Sequence, residues 1–94
     1  MKYTYFEEQA QRARKVKEEY PAGTRILLVH MDDDPHRIPD NTRGTVKGVD
    51  DIGTVHVLFD NRRNMGVIPG IDDFRKLTPA ECANERMDSR AETV

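Results

Sequence analysis

The stretch that decides the fold is Gly44-Thr45-Val46-Lys47-Gly48-Val49-Asp50-Asp51-Ile52-Gly53-Thr54-Val55-His56-Val57-Leu58-Phe59-Asp60-Asn61. Two runs of alternating character flank a short Asp-rich segment closed by Gly, which is the pattern of a β-hairpin. Because side chains on a strand alternate between faces, Val55, Val57 and Phe59 fall on one side and Thr54, His56 and Leu58 on the other. The first set is the core set. Gly48 interrupts the alternation and predicts a bulge or a bend.

Working outward, Ile26-Leu27-Leu28-Val29 is too short for a helix and rich in branched residues, so it reads as a strand. On the other side, Met65 to Ile68 reads as a strand, Pro69-Gly70 breaks it, and Phe74-Arg75-Lys76-Leu77 gives a last one. Together with Thr45–Val49 and Thr54–Phe59 these make five short, closely spaced strands within residues 21–77. That number and spacing predict a five-stranded SH3-like barrel rather than a sandwich, which needs more strands. Gly44, Gly53, Pro69 and Gly70 read as turn formers. A chain of 94 residues has material for one core only.

A helix is predicted at each end. Over residues 1–20, Thr4-Tyr5-Phe6-Glu7 has the form of a capping box, and Phe6, Ala10, Ala13, Val16 and Tyr20 make an apolar stripe at helical spacing. Glu8 with Arg12, Arg14 with Glu18 and Lys15 with Glu19 stand four residues apart on the wetter sides of this amphipathic helix. Pro21 ends it. Over residues 78–94, Thr78-Pro79-Ala80-Glu81 is a second capping box with Pro at the first helical position. A helix to about Ser89 follows, thin in apolar residues (Ala80, Cys82, Ala83, Met87), with fraying expected from Asp88 onward.

Charge is unevenly distributed along the chain. Residues 1–30 carry six Lys/Arg against four Glu, residues 31–61 three against seven Asp, and residues 62–94 six of each sign. An acidic middle argues against general affinity for nucleic-acid phosphates, which requires a concentrated positive field. The acidity gathers in the loop Met31 to Asn41. Asp32, Asp33, Asp34 and His36 lack the spacing of a calcium loop, so the loop reads as a solvated acidic segment or one that meets a basic partner, with no metal or cofactor.

Catalytic patterns are missing. No Gly-rich phosphate loop precedes a helix, Ser89 is the chain's only serine, and Cys82, a lone thiol, has no electropositive neighbours in sequence. His30, His36 and His56 are candidate bases, with Asp60 or Asp50 as an orienting partner, but His56 falls on the outer face of its strand, where an exposed or strand-pairing histidine is commoner than a catalytic one. No apolar run is long enough to span a membrane, and the first residues lack a secretory leader, so a cytoplasmic location is expected.

Beyond these readings, the chain resembles a small bacterial and phage domain of unknown function. The resemblance rests on Pro21, Gly23, Thr24 and Arg25; Met31 to Asp33; Gly44 to Val46; Val49 to Gly53; His56, Val57, Asp60 and Asn61; and Ile68, Pro69, Gly70, Asp72 or Asp73, and Phe74. It covers about residues 20–77. The family carries no established activity, and its occurrence in bacteria, phages and conjugative elements implies an accessory role in mobile-element biology. Relatives commonly show Gly after the Asp-Asn pair, whereas Arg62 and Arg63 stand here.

The combined expectation is a non-enzymatic binding module of a phage or mobile element. In one form it is an adaptor or inhibitor of a host nucleic-acid-handling protein, a defence nuclease for example, offering Asp32, Asp33, Asp34, Asp40, Asp50 and Asp51 to a basic protein surface. In the other, Arg62, Arg63 and the basic side of the first helix bind nucleic acid. The acidic balance favours the first.

Overall fold

The structure, a computed structural model, describes residues 5–31 and 35–92, with side chains described for 7–31 and 35–86. The Thr4 cap and Asp32, Asp33 and Asp34 lie outside the described residues, as do the side chains of Phe6 and Met87. The elements run α1 (Tyr5–Glu19), β1 (Arg25–His30), β2 (Thr42–Val49), β3 (Val55–Phe59), β4 (Asn64–Val67), β5 (Asp73–Lys76) and α2 (Pro79–Glu92). The fold is thus mainly β with a helix at each end. α2 continues past Ser89 to Glu92.

All five strands join one antiparallel sheet in the order β4-β3-β2-β1-β5. β1 to β4 form a meander, and β5 returns to pair with β1. The predicted closure into a barrel is not what the ladders show: among the described residues none joins β4 to β5, and the sheet stays open. Each of these edge strands has only four residues, which leaves little backbone to pair.

Alternation places the core where the sequence put it. Val55, Val57 and Phe59 are buried while His56 and Leu58 are exposed. They pack with Ile26, Leu28, Met31, Ile38, Val46 and Val67, and Val16, Tyr20, Val49, Met65 and Phe74 close the margin. The register of β2 on β3 shifts between Val46 and Gly48, at the position where the pattern predicted a bulge. Gly44 departs from its reading as a turn former. It is buried within β2 opposite Phe59, and a Cβ there would lie 2.6 Å from Val57 Cγ1 and 2.9 Å from Phe59 Cδ1. Close packing of the core side chains, not a turn, is what requires glycine at this position.

Both hairpins close with the same backbone device. In the first, the Gly53 amide donates to Asp50 O and the Asp50 amide to Thr54 O, each at 3.1 Å, with Gly53 at φ 85°. In the second, the Arg62 amide donates to Phe59 O and the Phe59 amide to Arg63 O, each at 2.9 Å, with Arg62 at φ 70°. The left-handed position is filled by Gly in one turn and by Arg in the other.

α2 docks by charge. Leu27 of β1 is flanked in register by Arg43 of β2 and Arg75 of β5, so two arginines stand in one row across three strands, with Arg25 beside them opposite Thr45. Glu81 and Glu85, one turn apart on α2, lie over this row. Arg75 makes two bonds to Glu81, at 2.7 and 3.1 Å, and Arg43 reaches Glu85 at 3.1 Å. Arg25 holds Glu85 through bonds of 2.6 and 3.1 Å and Asp60 through bonds of 2.7 and 2.8 Å. The thin apolar content of α2 is explained: its inner side carries carboxylates. The capping box is also formed, with Thr78 Oγ1 accepting from the Glu81 amide at 3.1 Å and Glu81 Oε1 from the Thr78 amide at 2.9 Å.

Candidate functional site

α1 is fixed to the sheet by one narrow line of contact. Ala13 is buried against Gly53 of the first hairpin, where a Cβ on Gly53 would stand 3.7 Å from Ala13 Cα, an ordinary van der Waals contact. Val16 and Tyr20, one and two turns further on, rest on the core, and Tyr20 meets Phe74 with ring centroids 5.3 Å apart. Lys17 reaches across to Asp51 at 3.0 Å. A helix seated along one line, with Ala13 on Gly53 and then Val16 and Tyr20 on the core, leaves a furrow beside it.

Three isoleucines stand at this furrow, and each is presented by a turn that satisfies its own backbone. Asp50 Oδ1 accepts from the amides of Ile52 and Thr54 at 3.1 and 3.0 Å, which turns Ile52 outward at the tip of the β2–β3 hairpin. Pro69-Gly70, with Gly70 at φ 87°, forms a tight turn in which Ile68 O accepts from the amides of Ile71 and Asp72 at 3.1 and 2.9 Å. Asp72 Oδ2 takes the Ile68 amide at 2.8 Å and locks the turn. As a result Ile52, Ile68 and Ile71 are 71%, 42% and 60% exposed.

Between these turns and α1 lies a hollow of about 580 Å³, lined by Ile52, Ile68, Ile71, Pro69 and Val16, with Arg12 and Lys15 of α1 on its rim. A second hollow of about 440 Å³ shares Val16, Pro69 and Ile71 with it and runs on to Tyr20 and Phe74, where Glu19, Asp72 and Asp73 stand. Each hollow is within the size range of ligand sites, and through the shared residues the two run together as one groove. Its isoleucines are presented by hydrogen-bonded turns and are exposed. The Tyr20 hydroxyl, partly desolvated in the groove wall and beside Glu19, has its pKa raised.

The residues singled out in the sequence are distributed otherwise. Asp40 precedes β2 and Asp50 with Asp51 follow it, so the length of that strand, about 25 Å, separates them. Each has a partner: Asp40 meets His30 Nδ1 at 2.8 Å, Asp51 meets Lys17, and Asp50 holds its own turn and His56 Nε2 at 2.8 Å. The His56 contact, followed by the turn amides, lowers the Asp50 pKa. Arg62 is exposed in its left-handed turn, and Arg63 donates to the backbone carbonyls of His36 and Arg37, bracing the loop before β2. Arg62 and Arg63 share that end of the sheet with Asp40.

The His56–Asp50 and His30–Asp40 pairs are exposed imidazole–carboxylate contacts at the surface of the sheet. Cys82 is half-buried on α2. Among the described residues, no three His, Cys, Asp or Glu side chains converge in the manner of a metal site. Neither the groove nor the arginine row was foreseen from the sequence. A signal for the groove was present, since Asp-Asp-Ile-Gly and Pro-Gly-Ile-Asp place a large apolar residue inside a turn, where polar residues prevail.

No curated protein and no solved structure matches the chain. A family model does, and its match extends the resemblance read over about residues 20–77 back through most of α1, so that it takes in both walls of the groove. Over residues 9–77 the chain matches, and it therefore belongs to, the family described as Domain of unknown function (DUF4314).

Proposed function

We propose that this domain is a non-enzymatic protein-binding module that docks its partner in the groove between α1 and the Ile68–Asp72 turn. The observation that carries the reading is the exposure of Ile52, Ile68 and Ile71 around one hollow. Isolated surface isoleucines need no explanation, whereas three gathered on hydrogen-bonded turns beside a concave wall favour an interaction surface. The mobile-element setting and the cytoplasmic location extend this reading on the strength of the family resemblance and of the sequence. The open sheet is taken as an unrolled SH3-like barrel, on the support of its meander and of a fifth strand returned to the first.

An adaptor or inhibitor whose acidic loops meet a basic surface on a host nucleic-acid-handling protein has less support. Its described carboxylates lie at opposite ends of β2 and each has an internal partner. Nucleic-acid binding through Arg62 and Arg63 is also less supported, because Arg63 is engaged by loop carbonyls.

The test is site-specific photo-crosslinking in cells of the native host, with benzoylphenylalanine in place of Ile71 or, as a control, of Leu58 on the outer face of the sheet. A discrete protein adduct from position 71, lost when Ile52→Asp is added and not seen from position 58, is the expected result. Equal labelling from both positions, or salt-sensitive binding of labelled DNA or RNA that Arg62→Ala with Arg63→Ala removes, would refute the reading.

A further inference from the structure

The groove is polar in charge along its length. At the end nearest the β2–β3 turn its rim carries Arg12 and Lys15, three residues apart on one side of α1, and no carboxylate lines this hollow. Neither cation has an ion-pair partner among the described residues, in contrast to Lys17, which is engaged by Asp51. At the other end the lining turns acidic, with Glu19 of α1 and Asp73 at the start of β5 beside Tyr20 and Phe74. The Lys76 ammonium, 5.3 Å over the Tyr20 ring, stands at the outer edge of this end, outside the lining, and offsets part of its charge. Asp72 is engaged by the Ile68 amide and belongs to the turn. The isoleucines and Val16 occupy the space between.

We infer that the occupant is a short segment of a partner protein with a fixed charge direction: an acidic residue that meets Arg12 and Lys15, aliphatic side chains against Ile52, Ile68 and Ile71, and a basic residue that meets Glu19 and Asp73. This rests on the groove being the docking site proposed above. Along α1, Glu19 is one turn from Lys15, about 6 Å, and two turns from Arg12, about 10 Å. The complementary charges are therefore separated by about two to three residues in an extended segment, or by about four to seven in a helical one. Complementary rim charges act mainly on the rate and direction of docking, and the apolar middle supplies most of the affinity. A segment entered in reverse would set acid against Glu19 and base against Arg12, so the groove selects one of two orientations.

A random-peptide phage-display library selected on the purified full chain supplies the probe, with the enriched peptides resynthesised and their affinities measured by fluorescence anisotropy. Enriched peptides are expected to share an acidic residue, an aliphatic centre and a basic residue in one order along the sequence. The double variant Arg12→Glu with Lys15→Glu should weaken them by about tenfold at low salt, given about two- to fivefold for each exposed charge contact. The same variant should select peptides in which the acidic position has become basic. Circular dichroism should show Ile71→Ser as folded as the parent, since the position is exposed, and the neutral double variant Arg12→Gln with Lys15→Gln, which sets no like charges four residues from Glu8 and Glu19, keeps the loss of affinity separate from any loss of helix.

Three results overturn the inference, each in its own way. Peptides that require Ile52 and Ile71 but keep their affinity in the charge-reversed variant would leave the docking site standing and remove its charge direction. Failure to enrich any peptide whose binding Ile71→Ser abolishes would remove the docking site itself. Sedimentation showing a dimer that Ile71→Ser disperses would make a second copy of this chain the occupant.

Discussion

Replacing Gly44 by Ala tests how tightly the centre of the sheet is packed. The added methyl would stand 2.6 Å from Val57 Cγ1, 2.9 Å from Phe59 Cδ1 and 3.1 Å from Leu58 O, whereas carbon atoms in contact prefer about 3.5–4.0 Å. Val57 and Phe59 are fully buried, so relief requires a shift of roughly 1 Å in side chains enclosed on all sides, and the Leu58 carbonyl belongs to the β3 backbone. Overpacking of this kind costs about 1–3 kcal/mol, against which the loss of glycine's freedom in the unfolded chain returns about 0.4–1 kcal/mol. The net expectation is a destabilisation of about 1–2 kcal/mol, or about 4–16 °C in melting temperature for a domain of this size. Urea unfolding followed by circular dichroism should show the midpoint lowered with an unchanged slope. The double variant Gly44→Ala with Val57→Ala should be more stable than the sum of its parts by about 1 kcal/mol, because removal of Cγ1 restores the space. A midpoint equal to or above the parent's, or strict additivity in the double variant, would refute the packing argument.

Other expectations follow from the turns and the charge row. Arg62→Gly should stabilise by about 0.5–1 kcal/mol, because Arg62 occupies the left-handed position that Gly53 fills in the other hairpin, and thermal melts would show it; an unchanged or lower melting temperature would count against the assigned turn. Glu81 is held at about 2, well below its ordinary 4.5, by Arg75 first and the Thr78 amide second. A depressed carboxylate stabilises the fold above its unfolded pKa and loses that contribution as pH falls through the folded value, so stability should decline from about pH 5 toward 2, and Glu81→Gln should flatten that limb. An acid limb of the same steepness in both proteins would remove Glu81 from the account. Arg25→Lys should cost about 1–2 kcal/mol by urea unfolding, since an ammonium cannot reproduce the paired bonds to Asp60 and Glu85; an unchanged midpoint would mean those pairs contribute nothing net.

The strands were legible because their faces have different fates. Val55, Val57 and Phe59 alternate with residues that stay in water, and that contrast is written directly in the order of the amino acids. Gly44 was misread as a turn former because its constraint comes from Val57 and Phe59 on a neighbouring strand, and no local pattern reports cross-strand crowding. Barrel closure was overestimated for a related reason, since strand number is visible in sequence while the length of edge left for pairing is not. The docking of α2 depends on Arg25, Arg43 and Arg75 reaching one face from three strands, which only the register reveals. The groove is assembled from two turns and a helix, and its isoleucines become neighbours only after the chain has folded.

Strand order also dictates when the fold can be completed. β2, β3 and β4 are joined by tight hairpins and form contacts between near neighbours, the fastest kind to make. β1 sits inside the sheet, yet one of its flanks is supplied by β5, with Ile26 opposite Lys76. As the chain leaves the ribosome, Ile26 and Leu28 therefore belong to a strand with one open side until residue 76 has emerged. Nascent chains that stop short of β5 carry an unpaired edge next to the core, the state in which a small β protein is most exposed to aggregation and to chaperone capture.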